Sequence, residues 1–277
     1  MRLDKFLAEA SVGTRKTVRT YVKEGKVIVN DQVIVEPAVQ IDPIADVVKY
    51  LSKEVIHTGK LYYMFHKPAG CITARKDAKS KTVLDYFENV NINGLFPVGR
   101  LDKDTEGLLF LTNDGDFNHQ LMCPEKHVEK KYFFWAFGAL HSEDKKRLET
   151  GICIGEDETL TKPAKIEVLK EGMYHELKNE MDIGKFINKK KNLYEQSVIS
   201  GYLTISEGRK HQVKRMLKAV GCYVVYLKRI SIGGIMLDKS LEKGEYRVVT
   251  EQEIQKLIEN QGCIGSWQDE EAGINRN

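Results

Sequence analysis

Between Gly99 and Gly107 the chain reads Gly99-Arg100-Leu101-Asp102-Lys103-Asp104-Thr105-Glu106-Gly107, then an apolar run through Leu111, then an Asn113-Asp114-Gly115 turn followed by Asp116. Carboxylates in such a polar turn can bind a metal or simply be solvated. The calcium-loop spacing fails, because Thr105-Glu106 stand where an acidic residue and a glycine are required. A second string, Ser206 to Gly221, places Val213, Met216, Leu217 and Val220 at i, i+3, i+4, i+7. That is a buried helical stripe, with Lys210, Lys214 and Lys218 on the opposite side. Its His211 suits a general base, because histidine is the side chain that changes charge in the physiological range, or a structural hydrogen bond. A third, Val128-Glu129-Lys130-Lys131-Tyr132, opens an aromatic strand, where a tyrosine is either core or site.

Local elements must position these groups. Leu3, Phe6 and Leu7 mark a short helix, and a second starts after the N-cap Thr14 and stops at Gly25. On the second, Val18, Tyr21 and Val22 share one side while Arg15, Lys16, Arg19 and Lys23 fill the other. Val27–Val29 and Val33–Val35 read as two strands around a tight turn. Asp42-Pro43 and the polar stretch 52–60 read as a linker. Strand-like runs follow at 61–65, 132–137, 164–169, 201–206 and 223–227, with helix-like stretches at 83–87, 117–122, 142–150 and 210–220. Irregular mixing without βαβ alternation predicts α+β. Residues 176–197, with Lys185 and Lys189 to Lys191, read as a surface loop; residues 251–277 form an acidic tail that should avoid phosphates.

Composition narrows the class. With 42% hydrophobic and 30% charged residues but only 22 Gly and 6 Pro, the chain is neither collagen-like nor disordered. Five scattered cysteines without a C-x-x-C spacing argue against a disulfide framework or zinc site. No apolar run is long enough to span a bilayer and no signal peptide is visible, so a cytoplasmic location is expected. The +3 formal charge says little about partners; its local distribution says more.

The order of two short helices, a basic face on the second, and Gly25-Lys26-Val27-x-Val29-Asn30 resembles the S4 RNA-binding module over about residues 1–48. Gly-Arg-Leu-Asp-x-x-Thr-x-Gly-Leu-Leu-x-Leu-Thr-Asn-Asp-Gly resembles the catalytic motif of pseudouridine synthases, in the branch with an N-terminal S4 module that modifies ribosomal RNA. Glu129-Lys130-x-Tyr132 resembles a second motif of that family. Glu207-Gly208-Arg209-x-His211-Gln212-Val213-Lys214-Arg215-Met216, with Leu227-x-Arg229 and Ile232-Gly233-Gly234, resembles a third. With Leu160 to Ala164 and Gly244 to Arg247, the likeness is greatest to the small-subunit, 16S rRNA branch.

The resemblance implies an isomerase. Asp102 would be the essential carboxylate, attacking ribose C1′ or base C6 or assisting base departure, and these routes stay open. Tyr132 would stack on the uracil, and Lys214 would pair with Asp102, where relatives often carry arginine. Arg100 would fill the gap left by the extruded base or hold a phosphate. Arg209, Arg215 and the face of Arg15, Lys16, Arg19 and Lys23 would meet RNA. The implied architecture is α+β: an S4-like module (1–55), a catalytic domain (60–255) with a mainly antiparallel mixed sheet flanked by helices, and an acidic tail (256–277). No cofactor, metal or membrane is expected; the partner would be ribosomal RNA and the protein a monomer. Two rivals stand beside it: a non-catalytic S4-type ribosome assembly factor, and a metal-dependent nuclease using Asp102, Asp104, Asp114 and Asp116.

Overall fold

A computed structural model describes residues 1–10, 12–56, 59–88, 90, 92, 94–155, 159–179 and 195–259. The expected lysine cluster at 185–191, Cys263 and the acidic residues from Asp269 onward lie outside them. The chain divides into two units. The first comprises Met1–His119, Leu227–Arg229 and Leu237–Val249; the second comprises Gln120–Tyr226, Ile230–Met236 and the described residues from Thr250.

The chain opens with α1 (Leu3–Glu9), α2 (Arg15–Lys23), β1 (Val27–Val29), β2 (Gln32–Ile34), β3 (Val48–Tyr50) and β4 (Lys53–Glu54). The Thr14 side chain caps α2 by accepting from the Thr17 N–H at 3.2 Å. Val18 and Val22 pack with Leu3, Phe6, Leu7, Val27 and Val48 in one core. Asn30 and Asp31 both take positive φ, 49° and 64°, which these two residue types tolerate and a two-residue hairpin needs. The sheet order is β2-β1-β3-β4. Strand β4 falls in the polar stretch 52–60 that the sequence reads as a linker, and β3 lies just before it; two- and three-residue pieces carry too little alternation to be read.

Then follow β5 (Tyr62–Lys67), a 3₁₀ turn at Val83–Tyr86, β6 (Phe96–Pro97), β7 (Glu106–Thr112), α3 (Gly115–Met122), a 3₁₀ turn at Pro124–Lys126, β8 (Lys130–Phe137), α4 (Ser142–Thr150), β9 (Lys165–Met173), α5 (Tyr174–Leu177), β10 (Ser197–Ile205), α6 (Gln212–Ala219), β11 (Tyr223–Ile232), β12 (Ile235–Met236), β13 (Tyr246–Val248) and α7 (Glu251–Glu259). In the first unit the order is β13-β5-β7-β11, with β6 on β7; in the second it is β11-β8-β10-β9, with β12 on β11. β5 pairs antiparallel with β7 and β13, β6 with β7, β10 with β8 and β9, and β11 with β12, whereas β7 and β11 are parallel. The architecture is therefore α+β with a mainly antiparallel mixed sheet, as expected. Every residue of β7 is buried, the burial that a continuous apolar run requires.

Three local expectations change. Asn113-Asp114-Gly115 is not a free turn but the start of α3, because Asp114 Oδ1 accepts from the N–H groups of Asp116 (3.0 Å) and Phe117 (3.4 Å). The start of the expected loop at 176 is still helical, in α5. The start of the expected tail belongs to α7, whose Leu257 is 1% exposed.

Candidate active site

In the first unit the Asp102 turn is held by its main chain. Lys67, at the end of β5, is fully buried. Its ammonium donates to the carbonyls of Thr105 (2.9 Å), Pro68 (3.0 Å), Asp102 (3.1 Å) and Lys103 (3.4 Å). Burial draws the Lys67 pKa below the lysine value, partly offset by Cys71, Asp104, Glu106 and Asp102. A buried cation with no oxygen to bond would be very costly, so the carbonyls and the ammonium hold one another in place. The Thr73 hydroxyl donates to the Leu101 carbonyl (2.7 Å) and accepts from the Leu101 N–H (3.1 Å). The Thr105 N–H closes the turn on the Asp102 carbonyl at 3.1 Å. Leu101 is thus anchored, with half-buried Asp102 and exposed Arg100 on either side of it.

The turn leads straight into β7, and Gly107 sets how closely β7 meets β11. Its φ is +105°, and a Cβ there would lie 2.2 Å from the Arg229 carbonyl oxygen. Only glycine fits. Arg229, 2% exposed, donates from Nε to the Leu108 carbonyl at 2.8 Å. Glu106, buried beside it in sequence, pairs with Lys243 at 2.9 Å.

The carboxylates at the far end of β7 have other partners. Asp114 meets Lys60 (2.7 Å) and the Tyr62 hydroxyl (2.8 Å). Burial pushes its pKa up, but these bonds outweigh burial and leave it below the usual aspartate value. Asp116 lies 3.4 Å from Lys5 and 3.8 Å from Arg15. Among the described residues no three His, Cys, Asp or Glu side chains are grouped to hold a metal, so the four aspartates of the nuclease reading do not form a centre.

In the second unit, Tyr132 lies on β8 opposite Leu203 of β10 and is 8% exposed. It shares the buried face of the strand with Lys130, Phe134 and Ala136. Lys214 is half-buried in the first turns of α6, and His211 is an exposed, left-handed residue just before that helix. Arg209 donates to Leu160 O (2.7 Å), to Thr159 O (3.1 Å) and Oγ1 (3.2 Å), and to Glu207 (3.3 Å). Arg215 donates to Ile154 O (2.7 Å) and Lys210 O (3.3 Å). Each of the two guanidiniums expected at RNA phosphates thus makes bonds within the protein.

On α2, Arg15, Lys16, Arg19 and Lys23 are all exposed, as the pattern requires. Arg19 is tied at 2.7 Å to Asp4, a buried carboxylate that Arg2 also meets at 2.9 Å. Burial raises the Asp4 pKa, and the bonds from Arg2 and Arg19 overcome that and lower it.

Residues 61–219 match the RNA pseudouridylate synthase family, and residues 1–48 match the S4 domain. The chain belongs to the RNA pseudouridylate synthase family. It is 41% identical over 263 residues to an uncharacterized RNA pseudouridine synthase of Bacillus subtilis, covering 94% of this chain and 100% of that one. It is 35% identical to the ribosomal small subunit pseudouridine synthase A of Vibrio cholerae (93% and 99% covered). It is 36% identical to the ribosomal large subunit pseudouridine synthase B of Bacillus subtilis (92% and 95% covered). A crystal structure of a pseudouridylate synthase superposes with a TM-score of 0.60 at 33% identity, covering 93% of this chain and 99% of that one. The chain is thus an S4-containing pseudouridine synthase, an isomerase acting on RNA.

Within this synthase, sequence reading missed Lys67, Thr73 and the Glu207–Gln212 pair. Lys67 is the last residue of β5, two positions beyond the run at 61–65 where the sequence reading ends the strand. A lysine at a position where burial is otherwise continuous is the signal that points to it.

Proposed function

We propose that the protein converts one specific uridine of 16S ribosomal RNA to pseudouridine, with Asp102 as the reacting carboxylate. The N1–C1′ bond breaks, the freed base turns, C5 bonds C1′, and the C5 proton leaves while N1 regains one. No electron is gained or lost, so no redox cofactor is required. Asp102 acts at C1′, at C6, or on base departure. Tyr132 stacks on the extruded uracil, a contact worth about 1–3 kcal/mol. Lys214 supplies the cation that keeps Asp102 ionised, and Arg100 takes the vacated place or a phosphate. The basic face of α2 anchors the RNA backbone without reading its sequence. The protein works as a cytoplasmic monomer on rRNA or an assembling subunit.

One observation carries this reading: in the family's motif, the residues on both sides of Asp102 are fixed by a buried lysine and a buried threonine, while Arg100 remains in solvent. The choice of 16S RNA rests on the motif likeness and on relatives named for the small subunit, against a large-subunit relative of similar identity. Pseudouridine mapping of rRNA from cells with and without the protein tests it. Loss of one 16S site is expected; loss of a 23S site would move the target, and an unchanged map would overturn the reading. Purified Asp102→Asn protein should make no pseudouridine while RNA binding stays within about threefold, since a reacting group and not a phosphate contact is lost.

A further inference from the structure

Helix α6 carries Lys214 in its first turns, and both flanks of that lysine are tied to one segment. On the N-terminal side, Gln212 begins the helix. Its Nε2 donates to Glu207 Oε1 at 2.8 Å, and its Oε1 accepts from the Arg209 N–H at 2.8 Å. Glu207, 9% exposed, also accepts from the Lys162 N–H (3.0 Å) and from Arg209 Nε (3.3 Å). Arg209 then spans to the carbonyls of Thr159 and Leu160. On the other side, Arg215 reaches the Ile154 carbonyl at 2.7 Å, and a Cβ on Gly155 would lie 2.2 Å from its Nη2. So Ile154, Gly155, Thr159, Leu160 and Lys162 form one seat, gripped by three side chains around Lys214.

We infer that Glu207, Arg209 and Arg215 are positioning residues that fix the start of α6, and with it the Lys214 ammonium, and that Arg209 and Arg215 are not phosphate contacts. The inference rests on the role given to Lys214 above. Arginine's fixed planar fork suits it: Arg209 meets two successive carbonyls and a carboxylate from three separate nitrogens, a spread of donors that a single ammonium at the end of a flexible stem does not reproduce. Misplacing a reacting group by about 1 Å can cost on the order of 100-fold in rate, whereas losing one phosphate contact lowers affinity and reduces the salt slope by about 0.7–0.9.

The two roles separate in single-turnover kinetics on full-length protein with the rRNA substrate. Arg209→Lys, Arg209→Gln and Glu207→Gln should each slow isomerisation at saturating RNA by on the order of 10–100-fold, with Kd and its salt slope unchanged. The Glu207→Gln/Arg209→Gln double variant should be no slower than the worse single variant, because the two act as a unit. Arg209→Lys keeps the charge and is the mildest change, so it serves if Arg209→Gln melts below the assay temperature. A full rate in Arg209→Lys, or a reduced salt slope with the rate retained in Arg209→Gln, would overturn the inference. Lys214→Met is run in parallel. A full rate there removes Lys214 from the chemistry; a lost rate there with full rates in Arg209→Lys and Glu207→Gln removes only the clamp.

Discussion

The Lys67 ammonium donates to the Asp102 carbonyl at 3.1 Å from a position wholly out of solvent. The charge is matched to main-chain dipoles more than to any single carboxylate, so its task is to shape the turn. Lys67→Met removes the donor from several carbonyls at once. Charged hydrogen bonds are worth about 1.5–3 kcal/mol each, and the relaxed site recovers part of that. Stability to urea should fall by about 3 kcal/mol and turnover should drop, with RNA affinity retained. A melt and a rate both like wild type would show that the carbonyls find water instead.

Gly107→Ala places a methyl 2.2 Å from the Arg229 carbonyl oxygen, at a φ of +105°. Backbone on both sides leaves no side chain to yield. The expected cost is roughly 3 kcal/mol or more, read as a lowered melting temperature by circular dichroism. An unchanged melt would mean that β7 and β11 separate freely at this point.

Asp114 titrates below the usual aspartate value when folded, because the bonds from Lys60 and Tyr62 outweigh its burial. A depressed folded pKa gives stability that is present above the unfolded value of 3.8 and lost as pH falls through the folded value, where the unfolded chain binds more protons. The stability gap between wild type and Asp114→Asn should therefore be widest above that value and narrow on going from about pH 5 to about pH 2. Urea melts across that range measure it; a constant gap would contradict the assigned direction.

Within the basic face of α2, Arg19 is shared with Asp4 and Arg15 lies near Asp116, so part of their charge is already balanced. Lys16→Ala/Lys23→Ala should lower the slope of log Kd against log salt by about 1.4–1.8 and weaken binding to all RNA sequences alike. Filter binding from low to moderate salt reads this directly. A slope equal to wild type would remove the face from the interface.

Much of this was legible in the residue pattern because the signals were local. The helix at 15–23 was marked by Thr14 and by the alternation of Val18 and Val22 with four cations. The helix at 142–150 and the strand ending at Phe137 were legible for similar reasons, whereas the run after Gly107 showed only as apolar and not as a strand. What stayed hidden depends on long-range placement. Strands β3 and β4 are too short to show a period, and β11 outran its predicted end because Lys228 and Arg229 break the apolar run while still pairing with β7. The partner of a buried charge cannot be read from spacing either. The bonds of Arg209 and Arg215 to the carbonyls of Ile154, Thr159 and Leu160 could not be read from a basic residue pattern, which is consistent with a phosphate contact and with a main-chain contact alike.

The strand that leads out of the Asp102 turn has neighbours drawn from very different times in synthesis. β7 lies between β5, made early, and residues of β11, made more than a hundred positions later; β13 then closes the outer edge of β5. Such sequence-distant pairing is slow and must wait for its last participant. A chain made only as far as β12 has both the aspartate and the S4 domain, yet lacks the strand that completes this part of the sheet. The turn that carries Asp102 is therefore braced on both sides only after β11 and β13 have been made, long after the four helical cations of α2 are in place.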